Sequence, residues 1–141
     1  MQKVSSVWQG GQKNSVFFNQ DINLLIDEKG PRPTDLLLAG LIGCSQGVFL
    51  EIIEKMRIKV NSISMEVEAE RESEPPKLFS KIALNYHIEV NEGLESKVVR
   101  AIKLVEQYCT VFNIMKLSAD IEVSCYINGV PSRVFPESQA D

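Results

Sequence analysis

Between Asp35 and Glu51 the chain carries no charge, and this run of 15 residues, Leu36 to Leu50, limits the folds open to it more than any other segment. Pro33 pre-sets the backbone for a first helical turn, and Thr34 and Asp35 add the polar, acidic start that a helix N-terminus favours. The boundary signals predict a helix from about Pro33 to Met56. The uncharged part is shorter than the roughly 20 residues that a membrane-spanning helix needs, which predicts a core helix. Its first half is apolar on every side, so burial all round is expected. Gly40, Gly43 and Gly47 each weaken the helix by about 1 kcal/mol relative to alanine. Three such residues imply that something packs very close, most simply a second backbone from a partner subunit. Within this setting stands Cys44, a thiol that is either inert filling or a nucleophile kept dry.

The other segments supply the elements that surround such a helix. Val4–Trp8, Ser15–Asn19 and Ile22–Ile26 read as short strands separated by Gly10-Gly11 and by Asn19-Gln20-Asp21. After the helix, Ile63 to Glu72 alternates apolar residues with Ser64, Glu66, Glu68, Glu70 and Glu72, and Phe79 to Val90 returns beyond a Glu74-Pro75-Pro76 turn. The pattern predicts a long hairpin with one wet face. Asn91 and Glu92 open a second helix, with Leu94, Val98, Ile102, Val105 and Cys109 on one stripe. A short helix over Thr110–Lys116, a strand over Ile121–Ile127 and a loosely held polar tail from Asn128 complete the reading. The order βββ-α-ββ-α-β predicts an α+β sandwich whose sheets wrap a central buried helix. At 141 residues the chain has the length of a single domain over 1–141.

Several function classes are set aside at this stage. A net charge of −4 without a basic block argues against nucleic acid as a partner. With neither a leader nor a spanning segment read from the sequence, the expected location is the cytoplasm, without membrane attachment. Three cysteines at unrelated spacings make no disulfide framework, and with His87 as the single histidine no metal site or bound cofactor is expected. The glutamate row suits solvation better than coordination of one ion. His87 is expected across from Ser64 and near Glu66 on that wet face. Lys97, Arg100 and Lys103 read as a solvated helix face. Cys125, in phase with Ile121, Val123 and Ile127, reads as core filling. Trp8, Phe17, Phe18, Phe49, Phe79 and Phe112 read as core or subunit contacts.

Two segments remain, each centred on a cysteine and 65 positions apart. Pro33-Thr-Asp-Leu-Leu-Leu-Ala-Gly-Leu-Ile-Gly-Cys44 resembles the Pro-x-Glu-Leu helix that ends on a cysteine in the OsmC/Ohr family of thiol peroxidases. Tyr108-Cys109-Thr-Val-Phe-Asn-Ile-Met-Lys116 is similar to that family's Cys-Pro-Val-x-Asn-x-Leu segment. The resemblance implies an OsmC-like fold in an intertwined homodimer with sites at the subunit boundary. It also implies reduction of organic hydroperoxides, with Cys44 attacking the peroxide, Cys109 resolving the sulfenic acid as a disulfide, and an external dithiol reopening it. A sulfenic acid trapped by a nearby thiol is protected from irreversible oxidation. Alternatives within the same fold are a non-catalytic dimer that binds a small hydrophobic ligand, and a thiol–disulfide carrier without peroxide chemistry. The chain departs from the family pattern at Thr34, where the family has glutamate, and at Thr110, where it has proline. It also has no arginine in residues 1–31.

A buried thiol needs a cation or a hydrogen-bond donor to become a nucleophile. Arg32 lies 12 positions before Cys44, which is about 18 Å along a continuous helix. Any help from it would have to come from the other subunit or through a bend at Pro33. Lys3, Lys13 and Lys29 are the other cations in the segment where relatives carry their arginine. Asp35 is suited either to orienting such a cation or to capping its helix. Cys109 stands where the following short helix would favour a thiolate.

Overall fold

The computed structural model of the protein describes residues 1–19 and 21–136. The last residues of the polar tail, 137–141, and Gln20 of the second turn lie outside them. The chain divides into two compact units, Met1–Ala39 and Gly40 onward.

The first unit is a three-stranded antiparallel meander of β1 (Ser5–Gly10), β2 (Lys13–Phe17) and β3 (Asn23–Ile26). Gly10 and Gly11 turn the first hairpin at φ of 98° and 55°, angles that cost a residue without Cβ little. Asn19 closes the second turn, its Oδ1 accepting the N–H groups of Asp21 and Ile22 at 3.0 Å each. No described residue of this unit is buried, and Trp8 and Phe18 stand exposed.

The second unit contains the whole core. Its sheet runs β4 (Val60–Arg71), β5 (Phe79–Val90), β6 (Asp120–Ile127), β7 (Val130–Phe135), antiparallel except for the parallel β5–β6 pair. The period-2 pattern behaves as read, with Ile82, Leu84, Tyr86, Ile88 and Val90 of β5 all buried on one face. On the other face Ser64 pairs with His87, whose Nε2 meets Glu66 Oε1 at 3.0 Å and whose ring stacks on Tyr126 at 4.8 Å. Helix α2 (Glu95–Tyr108) buries Val98, Ala101, Ile102 and Val105, and α3 (Thr110–Met115) follows immediately.

Two expectations are corrected. Helix α1 (Pro33–Lys55) is not buried on every side of this chain. Only the row Leu41, Ser45, Phe49, Ile53 is buried, each four residues from the last, while Leu37 and Leu50 are 55% and 43% exposed. One sheet and two short helices offer α1 a single surface, so an all-round apolar sequence buries one stripe. Within this single chain a Cβ on Gly40, Gly43 or Gly47 would have nothing within 4 Å. At 23 residues the whole helix is also long and apolar enough to pass for a membrane span by length and composition. Its buried row nevertheless packs into the same core as β5 and α2.

The second correction concerns the tail. Asn128 and Gly129, at φ of 51° and 80°, turn the chain into β7, which pairs with β6 and buries Val134. Asn-Gly between apolar runs is a strong two-residue hairpin signal. Pro131 and the polar residues around it obscured that signal, and proline is tolerated here because β7 is an edge strand.

Candidate active site

Cys44 and Cys109 meet inside the second unit. Cys44 is half-buried, on the flank of α1 next to the buried row. Cys109 is fully buried at the joint between α2 and α3, in extended conformation (φ −78°, ψ 114°). Asn113 fixes that joint, its Nδ2 donating to the carbonyls of Glu106 and Cys109 at 2.8 Å each. The two thiols act on each other's ionisation, Cys109 lowering Cys44 and Cys44 raising Cys109.

The two thiols have opposite character. Burial raises Cys44, but the N–H of Val111, the thiol of Cys109 and the N–H of Thr110 all favour its thiolate, and together they hold it below the ordinary thiol range. A proline at position 110 would lack that N–H, so the departure from the family segment adds a donor to the site. Burial raises Cys109 too, and there it prevails over the Ser45 hydroxyl and the Phe112 N–H, with the Cys44 sulfur raising it further. The sequence reading placed the thiolate-favouring position at Cys109. Cys109 Sγ does accept the Phe112 N–H at 3.4 Å, yet the N–H groups of the next turn serve Cys44. Cys44 is thereby the more readily ionised thiol and Cys109 the less, the order in which a nucleophile and a resolving thiol differ.

Behind Cys109 lies a group that the sequence did not signal. Ser45 Oγ is 3.5 Å from Cys109 Sγ, and Ser45 shares a small void with Tyr86, whose phenol it acts to lower. Tyr86 is buried and its phenol is pushed far up, first by burial, so it stays neutral. A clue was present in the sequence. Tyr86 falls in the buried phase of β5, where a phenol requires a partner.

Arg32 and Asp35 form their own pair in the first unit. Arg32 Nε and Nη2 donate to the Asp35 carboxylate at 3.1 and 3.2 Å, and the Arg32 backbone N–H adds a bond of 3.0 Å. The guanidinium and that N–H hold Asp35 below the usual carboxylate range. Asp35 thus pairs with Arg32 and accepts a backbone donor before its helix. With Arg32 79% exposed, the pair adds little stability. Cys125 is fully buried on β6, where desolvation pushes its thiol up to about 11.

Residues 26–124 match the family model described as OsmC-like protein. The chain belongs to the OsmC-like family. Protein YhfA of Escherichia coli K12 is 30% identical over 95 residues, which is 67% of this chain and 71% of YhfA. A hypothetical protein from Aquifex aeolicus VF5 superposes with a TM-score of 0.81 at 25% identity, covering 90% of this chain and 96% of that one. An organic hydroperoxide resistance protein OsmC from Legionella pneumophila shares the fold at a TM-score of 0.70 and 18% identity, over 89% of this chain and 96% of that one. The family and the α+β fold inferred from the two cysteine segments are therefore correct.

Proposed function

We propose that the protein is a thiol-dependent peroxidase that reduces organic hydroperoxides through Cys44 and Cys109. The observation that carries this reading is the pair of neighbouring thiols, one lowered and the other raised, within an OsmC-like fold. The Cys44 thiolate attacks the terminal peroxide oxygen, the O–O bond breaks, and the alkoxide takes up a proton and leaves as an alcohol. Cys44 is then a sulfenic acid. The Cys109 sulfur attacks it, the S–O bond breaks, and the hydroxyl leaves as water with the proton of Cys109. An external dithiol reduces the resulting disulfide by exchange, and no bound cofactor takes part.

A homodimer acting in the cytoplasm belongs to the same proposal. Two observations support the dimer: the first unit buries none of its described side chains, and the Gly40, Gly43 and Gly47 positions of α1 leave open space that a second backbone would fill. The direct test is peroxide consumption by the reduced full chain with cumene hydroperoxide and a dithiol. Turnover is expected, and a protein that consumes no peroxide under these conditions rejects the reading.

A second reading has one observation in its favour. A cavity of about 390 Å³ beside α1 is lined by Val48, Ile52, Met56, Leu104 and Tyr108 together with Glu51 and Lys55, a mostly apolar setting that suits a small hydrophobic molecule with a polar end and no redox chemistry. Native mass spectrometry of freshly purified protein separates the two: a co-purifying apolar ligand together with inert thiols supports binding alone.

A further inference from the structure

Ser45 is the only polar residue fully buried among the described residues. A hydroxyl in an apolar core costs free energy unless its bonds are made, so the partners it has chosen are informative. They are the phenol of Tyr86 on one side and the sulfur of Cys109, at 3.5 Å, on the other. Ser45 also follows Cys44 directly in the chain, so the same turn of α1 carries the first thiol and the group that touches the second.

Proton counting gives this arrangement a direction. Cys109 has one S–H and several neighbours. The Phe112 N–H already donates to its sulfur at 3.4 Å. If the Tyr86 O–H donates to Ser45 and the Ser45 O–H donates to Cys109, the sulfur accepts from two donors, and its own S–H is left for Cys44. The void that Ser45 and Tyr86 line together with Glu106 measures only about 10 Å³, at the lower limit for one water, so solvent does not readily substitute for either hydroxyl.

We propose that Ser45 is a positioning residue, the middle of a one-way hydrogen-bond chain from Tyr86 through Ser45 and Cys109 to Cys44 that aims the resolving thiol at the sulfur it must attack. It rests on the peroxidase reading and adds a device for the second step. With a hydroperoxide as oxidant, Cys44 leaves the first step as a sulfenic acid. Ser45 then keeps Cys109 Sγ facing that sulfur while the S–S bond forms and water leaves with the Cys109 proton. Ser45 itself gains and loses nothing in the balance.

The test uses the reduced full chain, its Ser45→Ala and Ser45→Thr variants, and one equivalent of cumene hydroperoxide, quenched with dimedone and read by intact mass and peptide mapping. In Ser45→Ala the first oxidation of Cys44 is expected to slow by no more than about threefold, while Cys44–Cys109 disulfide formation slows about tenfold and the dimedone adduct rises to match. Ser45→Thr, which keeps the hydroxyl, restores the disulfide rate. A second readout needs no peroxide. The pH midpoint for alkylation of Cys44 rises by about half a pH unit in Ser45→Ala, because Cys109 no longer donates to it consistently. An unchanged disulfide rate and an unchanged midpoint in Ser45→Ala overturn the proposal. So does a slowing that threonine fails to rescue in a normally folded variant. If the parent consumes no peroxide while the midpoint still moves with Ser45→Ala, the peroxidase reading has failed and the positioning of Cys109 by Ser45 stands.

Discussion

Cys109 and Cys125 are both fully buried and both have raised thiols, but they stand in different parts of the core. Cys125 is in the middle of β6, and desolvation is the only cause acting on it. Cys109 is at the α2–α3 joint, where Cys44, Ser45 and the Phe112 N–H all touch its sulfur. Burial by itself makes a thiol inert. What separates these two regions is the company each sulfur has, above all a second thiol shifted in the opposite direction.

The sharpest way to break that contrast is to remove the second thiol. Cys44→Ser is expected to lower peroxide turnover by about a thousandfold or more, as loss of a nucleophile does, and a coupled peroxide assay measures it. Cys109→Ser is expected to keep the first oxidation but lose the internal disulfide. Dimedone labelling should then trap a persistent Cys44 sulfenic acid, with turnover lowered by about tenfold or more. Thr110→Pro probes the donor that this chain has gained. Thr110 opens α3 and Cys109 before it is extended, so proline fits the backbone. Losing the N–H should raise the pH midpoint of Cys44 alkylation and slow the reaction severalfold at neutral pH, by about threefold to tenfold.

The smallest effects are expected at Cys125. Cys125→Ala should leave peroxide turnover within about twofold of the parent and lower stability by about 1 kcal/mol, measured by urea denaturation. The pH dependence has a definite sign. A thiol raised in the folded state favours folding fully below the unfolded value of about 8.5 and less as pH rises toward about 11. Stability should therefore fall across that alkaline window, and Cys125→Ala should make the fall shallower.

How far the sequence reached depends on whether a feature is local. The β4–β5 hairpin, the stripe of α2 and the pairing of His87 with Ser64 follow from period 2 or 3.6 and needed no knowledge of distant residues. The strand β7 was legible too, through Asn128-Gly129, but the prolines weighed more in the reading. Burial of α1 was not legible, because apolarity on every side does not tell which face this chain covers and which it leaves for something else. Within the site, Cys44 and Cys109 were found through two motif segments. Ser45, Tyr86 and the N–H of Thr110 were not, since their roles arise only when α1, β5 and α3 come together. Cys109 does stand at the start of the short helix that the sequence placed after it, but burial outweighs the Phe112 N–H there, and that the N–H groups of Thr110 and Val111 act on Cys44 was not legible.

Free-thiol quantification with peptide mapping, before and after one equivalent of cumene hydroperoxide, tests the central claim most directly. The account predicts that Cys44 and Cys109 disappear together as one disulfide while Cys125 stays free. Three intact thiols after peroxide, or a loss confined to Cys125, would contradict it.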